Sequence, residues 1–184
     1  MDDNVIYVEV EENSQAILSF SKCNIKTKAF IGENGASTIM KEGNKMTPLG
    51  SFDLGIAMGT HTEEEMKTKM KIDYIQINEN HYWVDDIKSK YYNQLVDITK
   101  TEKEWDSAEH LIEYPLDYEY LIDIKVNPEN IPDKGSAIFL HCNYGEPTLG
   151  CVGVSKEIME KIIQVIDKDT KMVIKEKKSE KSNW

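Results

Sequence analysis

Apolar and polar residues alternate in short segments along most of this chain. A period of two is typical of strands that bury one face, so the pattern predicts a mainly β protein. The alternating segments are residues 6–10, 16–20, 29–31, 52–56, 72–77 and 120–126. Residues 137–141 form an apolar run that ends in His141, which favours a central strand covered on both faces.

Helical periodicity is confined to two segments. Ser155 is a typical N-cap for a helix over residues 156–166, in which Ile158 and Ile162 recur on one face. Residues 62–70 predict a short surface helix. We therefore expect one or two helices, the main one following the strand that carries Cys151.

Length and composition favour one domain. The 184 residues suffice for a single hydrophobic core, and we place this domain at residues 1–168. Residues 169–184 are predicted to form a C-terminal segment with a strand at residues 172–174. The strand precedes a charged, partly disordered tail rich in Lys, Glu and Ser.

Charge restricts the class of partner. The chain has 22 basic and 33 acidic residues and a net charge of −11, which disfavours nucleic acid and anionic membrane surfaces. The sequence contains no arginine. A substrate carboxylate would therefore be bound by lysine, hydroxyl or backbone N–H groups rather than by a guanidinium group.

The sequence indicates neither a membrane span nor a disulfide framework. Its apolar runs are strand-sized, below the ~18 residues that a spanning helix needs. The three cysteines are too few and too irregularly spaced for a disulfide scaffold; they are Cys23, Cys142 and Cys151. Two alternatives stay open, one disulfide with one free thiol or three free thiols. The acidic start at Met1 lacks the basic and apolar regions of a signal peptide.

Nucleophilic chemistry is suggested by residues 138–154, where a short loop separates His141 from Cys151. A cysteine nucleophile needs a nearby base because the thiolate is the reactive form, and Gly150 leaves room for a substrate carbonyl. Three alternatives stay open: Cys151 as a buried core residue, Cys142 as the reactive thiol, and a zinc site of His141 and both cysteines. Zinc is disfavoured because no further histidine lies at ligand spacing.

These residues resemble the signature of the L,D-transpeptidase catalytic domain (YkuD type). In that family a strand ending in histidine precedes a loop and a Ser/Thr-x-Gly-Cys group, which residues 148–151 match after His141. The family's upstream Thr-Pro-x-Gly-x-Phe turn is matched at residues 47–52. A branch from Gram-positive bacteria is similar at residues 82–86, 91–94 and 108–111, and shares the Leu-His-Cys…Pro-Thr-x-Gly-Cys pattern.

The resemblance implies an L,D-transpeptidase-like β-sandwich or barrel and acyl transfer on peptidoglycan stem peptides. Cys151 would attack the carbonyl before the terminal D-Ala and form a thioester, with His141 as the base. A backbone carbonyl at Cys142 or Asn143 would orient the imidazole, and the N–H groups of Gly150 and Cys151 would bind the oxyanion. A second stem's amine would then close a 3→3 crosslink. The mechanism implied by this resemblance needs no metal or organic cofactor.

The resemblance also suggests which residues line the substrate groove. The expected members are Thr148, Tyr91, Tyr92, Asn93, His81 and Trp83. Two positions depart from the family: Leu149 stands where many members have a second histidine, and Gly153 stands where many have arginine. We expect the substrate to be oriented differently there.

Two other functions stay open. An L,D-carboxypeptidase would use water instead of the acceptor amine, and a cell-wall-binding module would bind without catalysis. The expected partners are donor and acceptor stem peptides, and a carbapenem would form a covalent adduct. Since peptidoglycan lies outside the membrane, we expect an extracytoplasmic, wall-associated or membrane-anchored protein whose targeting segment is absent from this chain.

Overall fold

The computed structural model describes residues 2–178 and confirms a mainly β fold. The strands are β1 (Val5–Val10), β2 (Gln15–Phe20), β3 (Ile25–Phe30), β4 (Ala36–Ser37), β5 (Thr47–Pro48), β6 (Gly50–Gly59), β7 (Tyr74–Gln76), β8 (His81–Val84), β9 (Leu95–Asp97), β10 (Ala108–His110), β11 (Tyr120–Ile124), β12 (Phe139–Cys142), β13 (Val152–Val154) and β14 (Lys171–Glu176). The helices are α1 (Glu63–Lys67) and α2 (Lys156–Val165).

Nine strands form one sheet in the order β11-β12-β13-β3-β2-β1-β14-β6-β7, and β11 also pairs with β6. This extra pairing closes the sheet on itself and makes it barrel-like. Alternate residues of its strands fill the main core, as Ile6 and Val8 of β1 do. β12 and β13 run parallel, with His141 opposite Gly153.

The C-terminal strand β14 has a central place in this sheet. It lies between β1 and β6, parallel to the first and antiparallel to the second. Met172 and Ile174 are buried in the main core. The predicted strand is thus present, and residues 171–176, which lie outside the domain predicted at residues 1–168, complete the sheet. The tail predicted beyond residue 178 lies outside the described residues.

A smaller sheet, in the order β10-β8-β9, was not predicted. Its strands are three or four residues long and mix apolar with charged positions, so they show no clear alternation. Trp83 of β8 lies edge-on to Phe139 of β12, with ring centroids 4.9 Å apart. Trp83 and Phe139 belong to a second hydrophobic core, separate from the main one. It covers the face of β12 that the main core leaves open, so β12 is buried on both faces as predicted.

Both predicted helices are present. Ser155 caps α2, since its side chain accepts the Ile158 N–H at 3.3 Å, and Thr62 caps α1 in the same way. The buried face of α2 consists of Met159, Ile162 and Ile163. Because α2 starts directly after β13, it anchors the strand that follows Cys151. Within residues 2–178, no helix has the length and apolarity to cross a membrane.

Candidate active site

Cys151 and His141 lie together at the parallel strands β12 and β13. Cys151 precedes β13, and the N–H of Phe139 donates to its Sγ at 3.3 Å. The thiol donates in turn to the carbonyl of Ala137 at 3.2 Å. His141 follows Phe139 by two positions and therefore projects to the same side of β12. Both side chains line one cleft of about 540 Å³.

The His141 ring is held in one orientation and one tautomer. Its Nδ1 lies 2.6 Å from the carbonyl oxygen of Cys142, and a carbonyl only accepts, so Nδ1 carries the proton. Burial lowers the pKa of His141, while this hydrogen bond and the charge of Asp117 oppose the shift. The imidazole is therefore neutral at pH 7, and Nε2 has a lone pair that can accept a proton.

Cys142 contributes its backbone and not its thiol. Its carbonyl is the group that orients His141, one of the two candidates expected for that role. Its side chain lies on the other face of β12, in the main core, and burial raises its pKa to about 12. Cys142 is therefore a core thiol. It cannot share a zinc ion with His141, and residues 2–178 contain no cluster of three side chains suited to a metal.

Asn143, the other candidate for orienting the imidazole, orders its own loop instead. Its Oδ1 accepts from the N–H groups of Gly145 and Glu146, at 2.8 and 3.2 Å. A Cβ at Gly153 would lie 2.6 Å from the Asn143 Cβ. The Asn143 side chain thus occupies the space beside Gly153.

The turn before Cys151 is closed by Thr148. Its hydroxyl donates to the Cys151 carbonyl at 2.7 Å and accepts from the Gly150 N–H at 3.1 Å. Thr148 is buried, and it lines the cleft together with Cys151 and His141. The Gly150 N–H, one of the two expected oxyanion donors, is thus already bonded to Thr148. Leu149, by contrast, is 72% exposed at the cleft.

Gly150 itself meets two requirements that other residues would not. Its φ of +139° lies where side chains cause strain, and a Cβ would lie 3.1 Å from both Ile138 and the carbonyl of Met46. The glycine of the Gly-Cys motif is therefore needed for the close packing of the turn.

Thr47 has a structural role that sequence reasoning missed. Its hydroxyl donates to the Gly150 carbonyl and accepts from the Gly32 N–H, both at 2.8 Å. Thr47 is fully buried, and it connects the upstream Thr-Pro turn to the backbone next to Cys151. The only signal for this role was the turn motif itself.

Three residues expected in the substrate groove support the site from behind. Asn93 accepts from the indole N–H of Trp83 at 3.1 Å and from the Ala137 N–H at 3.2 Å. Tyr92 is fully buried and donates to Glu42 at 2.8 Å. Asn93, Trp83 and Tyr92, which were expected to contact substrate, are not among the described residues that line the cleft. They hold the segment that leads into β12.

The other two expected groove residues, Tyr91 and His81, lie at a separate depression of about 390 Å³. Among the described residues, this depression shares no lining residue with the catalytic cleft. His81 is buried, and its Nδ1 accepts from the Asn78 N–H at 3.0 Å. The structure therefore places these two expected groove residues away from Cys151 and His141.

The cleft lining is acidic, a property that the sequence did not reveal. Its carboxylates are Glu42, Asp85, Glu109, Asp117 and Glu146. Lys45 is the one lysine among the lining residues, and its Nζ pairs with Glu33 at 2.9 Å. These carboxylates come from distant parts of the chain, so no local sequence pattern predicts that they line one cleft.

Tyr118 connects the acidic lining to the catalytic pair. Its ring lies edge-on to His141 and to Phe139, with centroids 5.6 and 5.7 Å apart. Its hydroxyl donates to Glu109. Burial raises the pKa of Glu109 to about 7, and the charges of nearby carboxylates add to this effect.

Comparison with known families gives one match. The sequence model of the YkuD family, the L,D-transpeptidase catalytic domain, matches residues 3–174. Among proteins with curated descriptions, none matches the chain. Members of the family are cysteine-dependent L,D-transpeptidases that act on peptidoglycan. Because the match includes nearly every strand of the closed sheet and the whole cleft, this chain belongs to the YkuD family of L,D-transpeptidase catalytic domains.

Proposed function

We propose that Cys151 is the nucleophile and His141 the general base of a transpeptidation on peptidoglycan stem peptides. One observation carries this assignment: of the three cysteines, only Cys151 lines the cleft, and it does so together with His141. Cys23 and Cys142 lie elsewhere. The family's dependence on a cysteine therefore points to Cys151.

Both groups start the reaction neutral. Burial raises the pKa of the Cys151 thiol well above its usual value, and burial lowers the pKa of His141. A preformed thiolate–imidazolium pair is therefore disfavoured. The thiol proton moves to Nε2 of His141 as Sγ attacks the donor carbonyl, because the Cys142 carbonyl keeps the proton of the ring on Nδ1.

The first half-reaction ends in a thioester. The Sγ–C bond forms, the C–N bond to the terminal D-Ala breaks, and His141 returns its proton to the leaving amine. Since Thr148 occupies the Gly150 N–H, we assign the oxyanion to the N–H of Cys151. One such donor is typically worth about 3 kcal/mol of barrier.

In the second half-reaction an acceptor amine attacks the thioester and closes a 3→3 crosslink. Water in its place would release a tripeptide, the product of an L,D-carboxypeptidase. The acidic lining of the cleft favours the crosslink, because it attracts a cationic amine. Since the stem peptides lie outside the cytoplasmic membrane, we also propose that the domain acts there.

Mass spectrometry of the intact protein tests the nucleophile. After incubation with a carbapenem, the wild type and Cys23→Ala should each carry one adduct, and Cys151→Ala should carry none. His141→Gln should form the adduct about 100-fold more slowly, as expected when a general base is lost. An unmodified wild type would support the alternative of a non-catalytic binding module.

A disaccharide-tetrapeptide substrate then distinguishes the two enzymatic reactions. Crosslinked dimers with release of D-Ala are the expected products. Tripeptide without dimer would show that water resolves the thioester and would replace transpeptidation by carboxypeptidation.

A further inference from the structure

Glu109 is the cleft carboxylate whose hydrogen-bond partner, Tyr118, contacts the His141 ring. It lies in the middle of β10, opposite Trp83 of β8, so a paired strand fixes its backbone. Its Oε1 accepts from the Tyr118 hydroxyl, and the Tyr118 ring contacts His141 edge-on. The carboxylate is thus held at the reaction site by a rigid element and one aromatic ring.

The described chain supplies no cation to this carboxylate. Among residues 2–178, no lysine or histidine nitrogen forms a salt bridge with Glu109. The titratable groups that face it are Glu42, Asp85, Tyr114, Tyr118 and the thiol of Cys151. A partly buried carboxylate among acidic and phenolic neighbours is stabilised by a cationic ligand.

The second half-reaction brings such a cation to the cleft. An amine of the lysine type has a pKa near ~10.4 and arrives as an ammonium ion. It has to lose one proton before its lone pair can attack, and a second proton during the attack. His141 serves the second transfer, since its proton must reach the departing sulfur. The first transfer needs another base.

We propose that Glu109 binds the ammonium group of the acceptor stem and takes its first proton, which makes it a catalytic residue of thioester resolution. This inference rests on the proposed transpeptidation. The ammonium gives a proton to the Glu109 carboxylate, and the neutral amine forms a C–N bond as the C–S bond breaks. The second amine proton passes through His141 to Sγ of Cys151, and Glu109 then releases its proton to solvent.

A comparison of two acceptors tests this role in the full chain. A lysine-type amine is a cation at pH 7, whereas methoxyamine is neutral. In Glu109→Gln, we expect thioester formation within about twofold of wild type and lysine-type crosslinking lowered at least about 100-fold. Resolution by methoxyamine should be unchanged. Glu113→Gln removes an exposed carboxylate of the neighbouring turn and should behave as wild type in all three assays.

A pH profile of the wild type tests the same inference without a substitution. With Glu109 as the base, crosslinking of the lysine-type amine should level off above pH ~7, where its carboxylate is ionised. If Glu109 is not the base, the crosslinking rate should rise about tenfold per pH unit up to the pKa of the amine.

Several results would overturn the role of Glu109. These are unchanged crosslinking in Glu109→Gln, an equal loss with methoxyamine, slower thioester formation, or a wild-type rate that rises without a plateau. If wild type forms no thioester on Cys151 at all, the proposed function fails instead, so the two failures are distinguishable.

Discussion

At the scale of single residues, Thr47 shows how a buried hydroxyl positions the nucleophile. It bonds Gly32 on one side and Gly150 on the other, so it connects the segment after β3 to the turn before Cys151. Neither contact involves a side chain of the catalytic pair. Thr47 therefore acts on Cys151 through the backbone of the turn.

Replacing this hydroxyl should affect both stability and catalysis. Thr47→Val keeps the shape but leaves the Gly32 N–H and the Gly150 carbonyl unpaired, at about 1–3 kcal/mol for each buried group. We expect a lower free energy of unfolding, measured by urea titration, and slower carbapenem acylation of Cys151. Thr27→Val, on a partly exposed position of β3, is the matched control. Wild-type values for both quantities in Thr47→Val would contradict this role.

At the scale of secondary-structure elements, β14 determines whether the sheet closes. It joins β1 to β6, and β6 pairs with β11, the strand next to β12. Loss of β14 would therefore open the sheet at β6. Only β11 separates β6 from β12, the strand that carries His141. This loss would also expose Ile6 and Val8 of the main core.

Truncation tests this element directly. A chain that ends at residue 170 should lack a cooperative thermal transition in circular dichroism, because β1 and β6 lose their common partner. A chain that ends at residue 178 is the control and should melt cooperatively. Cooperative melting of the shorter chain would show that the rest of the sheet folds without β14.

At the scale of the whole molecule, buried carboxyl groups and the net charge set the pH of greatest stability. Burial raises the pKa of Asp123 on β11 to about 6 and that of Glu109 to about 7. In such groups the folded state binds the proton more tightly than the unfolded state. Their stabilising contribution to the free energy of unfolding is fully present below pH ~4, and it is lost as the pH rises through their pKa in the folded state.

Asp167, which is half-buried, acts in the opposite direction. Hydrogen bonds from Asn4 and Lys22 lower its pKa, so its contribution is lost as pH falls below ~4. The net charge of −11 adds repulsion at neutral pH. These effects together place the maximum of stability near pH ~5.

We expect the melting temperature to be higher at pH 5 than at pH 7.5. Asp123→Asn should reduce this difference. The Asp123 carboxyl group ionises between pH 5 and pH 7.5, whereas the amide stays neutral at both pH values. Asp3→Asn changes an exposed carboxylate and should leave the difference as in wild type. A melting temperature that rises steadily from pH 5 to pH 7.5 would contradict the prediction.

Local pattern was enough to predict the elements and part of the site. The period of two marks the long strands, and Ser155 marks the start of α2, because both signals lie within a few residues. The same alternation predicts that Cys142 and His141 project to opposite faces of β12, as they do. The short strands of the smaller sheet left no such signal.

The sequence by itself determined the mainly β architecture, the main helix and the selection of Cys151 and His141 as the candidate pair. Only the tertiary structure decided the central place of β14, the bonding of the Gly150 N–H and the supporting role of the expected groove residues. It also decided the acidity of the cleft. The physical reason is distance along the chain: periodicity and capping act between near neighbours, whereas the closed sheet brings together carboxylates between residues 42 and 146.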